Sequence, residues 1–257
     1  MQARTLSGIP RVEDLHWGSH FCQFYDRPED LAEVLVPYFG AGLSNNEFCL
    51  WVTGDQLPAE QAQELMLAAR PDLKSRLDRG QITIIDMQDW YVGSKEFDAD
   101  QVLTGWLERE AWALGKGYSG TRLTGDTHWL ERYIWQDFRD YEEKVSRTFT
   151  GRRLIALCTY CAQKCTAGDV IEVAHNHDFA LLRRDGEWQV LENTTATRLR
   201  EEMQKKQTDY YYQNLINELP AAVYTTDQDG WLNFYNRAAV ELWGREPEIG
   251  KDRWCGF

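Results

Sequence analysis

Apolar and polar positions alternate between a strand-like and a helix-like rhythm along the first three quarters of the chain. Phe21-Cys-Gln-Phe-Tyr25, Phe48 to Thr53 and Leu154 to Thr159 are short and largely apolar, and the second is apolar on both faces, as a central strand of a parallel sheet should be. Gln81 to Asp86 and Thr121 to Thr124 read as two further strands. Between them, apolar residues recur at helical spacing. Leu31, Val34, Leu35 and Phe39 predict a helix ended by Gly40 and Gly42, and Pro58 opens another toward Ala69. A longer helix from about Asp98 carries Val102, Leu103, Trp106, Ala113 and Leu114 and stops at Gly115 to Gly117. Trp129, Leu130, Tyr133, Phe138, Tyr141 and Val145 share a helical face, and Thr166 caps one more helix. Asp185-Gly186 between Phe179 to Arg184 and Trp188 to Glu192 is a hairpin signal.

This alternation over residues 16 to 192 predicts a three-layer α/β domain with a mostly parallel sheet. Ligands of such sheets bind beyond the carboxyl ends of the strands, here Tyr25, Thr53, Asp86, Thr124 and Thr159. After Asn193 the pattern changes. Residues 194–217 are charged, with sparse apolar positions at Leu199, Met203, Tyr210 and Ile216, and predict an exposed connecting helix able to pair in a homodimer. Residues 218–257 begin a small α+β unit: a hairpin around Asp229-Gly230, the helix Arg237 to Trp243, and too little chain after it to close a sheet. The expectation is therefore a domain over 1–193, a connector over 194–217 and the first part of another domain, in a fragment of a longer protein.

Composition narrows the partners. Of 257 residues, 43% are hydrophobic, enough for a proper core, while 28 Lys and Arg stand against 41 Asp and Glu for a net charge of −13. Such a surface repels phosphate backbones and anionic lipid, so neither nucleic acid nor membrane is an expected partner. Apolar runs such as Leu154 to Cys158 fall far short of the ~20 residues that span a bilayer, and no secretory signal begins the chain, so the expected location is cytoplasmic. Six cysteines without a signal sequence do not read as a disulfide framework. Aromatic residues reach 13%, with 11 tryptophans, a load that either fills a wide core or walls an apolar pocket.

Two groups of residues have metal-ligand chemistry. His16-x3-His20-x-Cys22 offers three donors, and in a strand His20 and Cys22 point to one face. Cys158-x2-Cys161-x3-Cys165, with His175 and His177 one helix later, combines soft thiolates with imidazoles suited to zinc, iron or haem. The same residues also fit hydrogen-bonded turn histidines and buried structural cysteines, and a thiol switch at Cys161 and Cys165 is a third reading. For an organic ligand, Trp51, Trp90 and Trp129 lie near strand ends and could converge above the sheet, with Arg122 and Glu142 as polar contacts. The helical tryptophans Trp106, Trp112 and Trp135 read instead as packing.

Several stretches resemble the MEDS sensory domain of methanogen and methylotroph regulators: His16-Trp-Gly-Ser-His-Phe-Cys-Gln-Phe-Tyr25, Pro37-Tyr-Phe39, Asn46-Glu-Phe-Cys-Leu-Trp-Val-Thr53, Arg122-Leu-Thr-Gly125, Trp129-Leu130, Leu157-Cys-Thr-Tyr160 and Phe179-Ala-Leu181. Cys158, Cys165 and His177 match residues common in that family, whereas Cys161, His175 and His128 look like departures. Leu219-Pro-Ala-Ala-Val-Tyr-Thr-Thr-Asp227, Tyr235-Asn-Arg-Ala-Ala239 and Leu242-Trp-Gly-Arg245 resemble the first half of a PAS domain. The two resemblances together imply a sensory input module that binds a small-molecule, metal or haem-borne signal ahead of an output kinase or regulator domain, most often a histidine kinase.

The MEDS family is similar in layout to RecA- and KaiC-like ATPases, which opens a second reading as a degenerate nucleotide-binding protein. A phosphate loop needs glycines whose N–H groups cradle the anion and a following Lys. The corresponding turn, Tyr25-Asp-Arg-Pro-Glu-Asp-Leu31, has no glycine and three acidic residues, and neither Gly115-Lys116 nor Gly250-Lys251 joins a strand to a helix. The expected fold is RecA- or KaiC-like without a P-loop. A metal-dependent hydrolase and a pure dimerisation scaffold complete the range of readings, and no His-Glu-x-x-His pattern supports the hydrolase.

Overall fold

Stretches with no polar face belong in the middle of a sheet, and the most uniformly apolar segments of this chain are found there. The computed structural model describes residues 4–92, 97–128, 135–193, 206 and 210–253, and the chain divides into two compact units, Met1–Arg198 and Leu199–Phe257. In the first unit, β1 (Arg4–Leu6) and β2 (Asp14–His16) make a small antiparallel ladder. There follow β3 (His20–Tyr25), α1 (Pro28–Ser44), β4 (Phe48–Thr53), α2 (Ala59–Ala69), α3 (Leu73–Asp78), β5 (Ile82–Asp86) and α4 (Ala99–Gly115). The unit continues with β6 (Thr121–Asp126), α5 (Trp135–Phe149), β7 (Leu154–Cys161), α6 (Ala167–Asn176), β8 (Phe179–Arg184) and β9 (Glu187–Glu192). Strands β3 to β9 form a seven-stranded sheet in the order β5-β4-β6-β7-β3-β8-β9, parallel except for the β8–β9 hairpin. The fold is thus the three-layer, mostly parallel α/β arrangement that the sequence predicts.

Every residue of β3, β4, β6 and β7 is buried, because helices cover both faces of the sheet. One core joins α1, α2 and α3 to Phe21, Tyr25, Cys49, Trp51, Ile155, Leu157 and Cys161. The other joins α4, α5 and α6 to Cys22, Phe24, Leu50, Leu123, Cys158 and Tyr160. The strand alternation of side chains sets this division: Cys22 and Phe24 face one way, Phe21 and Tyr25 the other. On α5, Phe138, Tyr141, Val145 and Phe149 form the buried stripe. Trp129 and the rest of 129–134 lie outside the described residues. Asp185 and Gly186 both have positive φ, 53° and 82°, the conformation of the two-residue turn that matches strand twist.

At the start of helix α1, Asp30 Oδ2 accepts from the backbone N–H groups of Asp26 and Arg27, each at 3.1 Å, and Asp30 Oδ1 accepts from Arg183 at 2.6 Å. Burial by itself would raise this carboxyl, but these hydrogen bonds hold it below its ordinary value.

In the second unit, α7 (210–217) precedes an antiparallel hairpin of β10 (Tyr224–Thr226) and β11 (Leu232–Tyr235), then α8 (Arg237–Trp243). The Asn236 side chain caps α8 by accepting from Ala239 N, and its amide donates to the carbonyls of Ile216 and Ala221, tying the short elements together. Most of the predicted connector, 194–205 and 207–209, lies outside the described residues. Among the described residues, no helix is long and apolar enough to cross a membrane.

Candidate functional site

Four buried side chains from four separate segments meet on the α4–α6 face of the sheet. His20 opens β3, Cys158 lies in the middle of β7, Glu142 projects from α5, and His177 is the C-cap residue that follows α6. One donor atom of each lies within 4.8 Å of the others. Glu142 Oε2 is 3.0 Å from His20 Nε2, 3.3 Å from His177 Nε2 and 3.8 Å from Cys158 Sγ, and His20 Nε2 is 3.2 Å from Cys158 Sγ. The β3–β7 register sets Cys22 beside Cys158, so a second sulfur adjoins the group without being one of the four donors.

The surroundings orient both imidazoles. Ser146 Oγ donates to Asn176 O at 2.6 Å, so it accepts from His20 Nδ1–H at 2.7 Å. His177 Nδ1 donates to Val173 O, also at 2.7 Å. Both rings therefore carry a hydrogen on Nδ1 and present Nε2 inward, with centroids 4.1 Å apart. A reciprocal pair fixes their spacing: His20 N donates to the Asp178 carboxylate and Asp178 N donates to His20 O.

Electrostatics follow from burial and neighbours. Burial and the adjacent His177 push His20 down toward the neutral form. Burial also disfavours charge on His177, but Cys22, Cys158 and Glu142 together raise it well above the usual histidine range. Burial would raise Glu142, yet the two imidazoles, His20 foremost, hold it far below the carboxylate range. The Cys158 thiol is pushed up to about 12 by burial and by the Glu142 charge.

A narrow cleft, open to solvent, leads to this group between α5 and α6. Trp135 and Phe138 of α5 and Val173 of α6 supply its apolar walls, Glu142, Tyr160 and His177 its floor. Arg139 and Glu172, paired at 3.0 Å, stand on opposite sides and are both partly exposed.

Several sequence expectations need correction. Trp51 is 1% exposed and stacked on Phe39 in the α1 core, whereas Trp90 packs against Trp106 in the other core, so the two do not converge. Arg122 is not among the residues lining the cleft and lies in a fully buried ion pair with Glu47. Trp129 lies outside the described residues. Cys161, three residues from Cys158, falls on the opposite face of β7, Cys165 lies beyond the strand, and His175 is exposed on α6. Buried Cys161 does not fit an exposed thiol switch. His16 sits in β2, paired with Arg4, and is not one of the four donors. Glu142 does line the cleft, and it also joins the two histidine–cysteine groups that lie apart in the sequence. Ser146 escapes the reading of the sequence. Its signal is the row Phe138, Glu142, Ser146 at four-residue spacing, two polar side chains set in an apolar stripe.

The carboxyl ends of the strands hold a different polar group. Asp126 Oδ1 accepts from His128 N at 2.9 Å and Oδ2 from Thr159 Oγ1 at 3.1 Å, yet burial raises the carboxyl to about 6. With a folded value above the unfolded one near 4, this group's contribution is full below about pH 4 and is lost as pH rises through 6. Asp126→Asn is thus expected to raise the melting temperature at pH 7.5, by a gain on the order of 2–3 kcal/mol, and to leave it unchanged at pH 4. Thermal melts at the two pH values check this, and an equal gain at both contradicts it.

Residues 19–178 match the family described as MEthanogen/methylotroph, DcmR Sensory domain, abbreviated MEDS. No curated protein matches the sequence. Among solved structures, a KaiC-like protein from the hyperthermophilic archaeon Pyrococcus horikoshii is similar, with a TM-score of 0.49 and 15% identity over 76% of this chain and 90% of that one.

Proposed function

This chain belongs to the MEDS family of sensory domains, and from that premise we propose that it is a signal input module whose signal is a small molecule bound between α5 and α6. One observation carries the reading: a solvent-open, largely apolar cleft ends on a buried carboxylate and imidazole, Glu142 and His177. Apolar walls with a few convergent polar groups are the usual composition of a small-molecule site. The supporting route for the signal runs through Asn193. Its side-chain amide donates to the carbonyls of Ala174, His175 and His177, so the residue that precedes the connector grips the end of the helix that His177 caps. A ligand that favours one position of α6 shifts the connector 194–217 accordingly. That connector pairs in a homodimer and passes the change to a PAS domain beginning at 218–257 and to an output domain, a histidine kinase.

The test uses a panel of short-chain alcohols, thiols, carboxylates and imidazoles, followed by thermal shift and by the emission of Trp135 in the cleft wall. At least one class is expected to raise the melting temperature. Glu172→Trp, which fills the mouth from a partly exposed position, is expected to abolish the shift measured relative to its own unliganded melt. A panel without effect, or a shift that survives Glu172→Trp, overturns the assignment.

A further inference from the structure

Beyond the cleft, the geometry points to a metal centre: we infer that His20, Glu142, Cys158 and His177 form a four-donor site for a divalent transition-metal ion, with zinc the natural occupant. Zinc bonds of about 2.0–2.3 Å give a tetrahedron with donor–donor edges of about 3.3–3.8 Å. The four edges from 3.0 to 3.8 Å quoted for these atoms need adjustments of only a few tenths of an ångström to match. Two neutral imidazoles, a thiolate and a carboxylate cancel the charge of a divalent cation, so the filled site is electrically neutral, as a buried site must be to avoid a large desolvation cost. The mixed nitrogen, sulfur and oxygen set suits zinc better than magnesium or calcium, which take oxygen donors.

Two further observations separate this arrangement from an ordinary buried hydrogen-bond network. Among the described residues, His177 Nε2 and Glu142 Oε1 are buried without a hydrogen-bond partner, although His177 Nε2 lies 3.3 Å from the other Glu142 oxygen. Buried polar groups are rarely left in this way unless an unseen ion or water completes them. Both histidines also donate Nδ1–H to an oxygen behind them, Ser146 Oγ and Val173 O, the support that metal-ligating imidazoles generally have. This inference stands without the small-molecule reading, since the four donors converge whether or not anything enters the cleft.

The test is titration of the chelator-treated full chain with cobalt(II), then competition by zinc. One equivalent is expected to bind, giving the visible bands of a tetrahedral cobalt site and a thiolate-to-metal charge-transfer band, and zinc is expected to displace it. Cys158→Ala should lose the charge-transfer band, and Ser146→Ala, a positioning change, should weaken affinity by about 10–100-fold. The double variant Cys161→Ala/Cys165→Ala should keep the spectrum. Circular dichroism of metal-free Cys158→Ala shows whether its loss is one of binding or of folding, and His20→Gln serves as the second ligand variant if Cys158→Ala does not fold. Absence of the charge-transfer band in the unaltered protein, its survival in Cys158→Ala, or its loss in the Cys161/Cys165 variant overturns the site. A cobalt spectrum with no response to the small-molecule panel leaves the metal centre intact and removes only the cleft reading.

Discussion

Arg122→Met is expected to lower unfolding stability by about 3–5 kcal/mol, the usual cost of breaking one side of a buried ion pair, and the melting temperature by on the order of 10 °C. All five guanidinium N–H donors are engaged: Nε and Nη2 with the two Glu47 oxygens at 2.6 and 3.1 Å, Nη1 with the carbonyls of Ser7 and Tyr38, and Nη2 also with the carbonyl of Leu6, each at 2.8 Å. Both side chains of the pair are completely buried. Removing the cation strands Glu47 in the interior and leaves three carbonyls without their donor, so two of the large mechanisms of destabilisation act together. The double variant Arg122→Met/Glu47→Leu should recover much of the loss, because the stranded charge is then gone, but not all of it, because the carbonyls remain. Urea unfolding of the two variants checks both halves. A loss below about 1 kcal/mol in the single variant contradicts the assignment.

Trp51→Ala should cost a similar amount, about 3–5 kcal/mol, through the cavity it opens in the α1 core. The indole lies in β4, is 1% exposed and stacks on Phe39 with centroids 4.9 Å apart and planes inclined by 20°. The midpoint of denaturant unfolding should fall while its slope stays the same, since the surface exposed on unfolding hardly changes. Binding in the cleft should persist in the folded fraction, because Trp51 and the cleft lie on opposite faces of the sheet. Loss of ligand response in folded Trp51→Ala would return this tryptophan to the candidate ligand contacts.

Both predictions concern residues that the sequence offers as ligand contacts and the structure places in the protein interior. The reason is specific in each case. Arg122 is charged and lies in a predicted strand, and nothing local reveals that Glu47, 75 positions earlier, waits beside it. Trp51 sits near a strand end, but whether that end faces a cleft or a helix depends on α1, whose Phe39 covers it. Conversely, Glu142 is legible as polar because it interrupts an apolar helical stripe, and Ser146 stands in the same row.

The sequence alone determined the succession of strands and helices, the parallel α/β class and the change of character after Asn193, because periodicity and turn chemistry are local properties. It also contained the ligand types, His20 with Cys22 and Cys158 with His177, in two separate stretches. Only the tertiary structure decided which of them meet. The strand order puts β3 beside β7, the register aligns Cys22 with Cys158, and the reciprocal Asp178–His20 hydrogen bonds bring the end of α6 against the start of β3. Pairing between segments more than 100 residues apart is set by the packing of whole helices onto the sheet, a non-local balance that no run of neighbouring residues encodes.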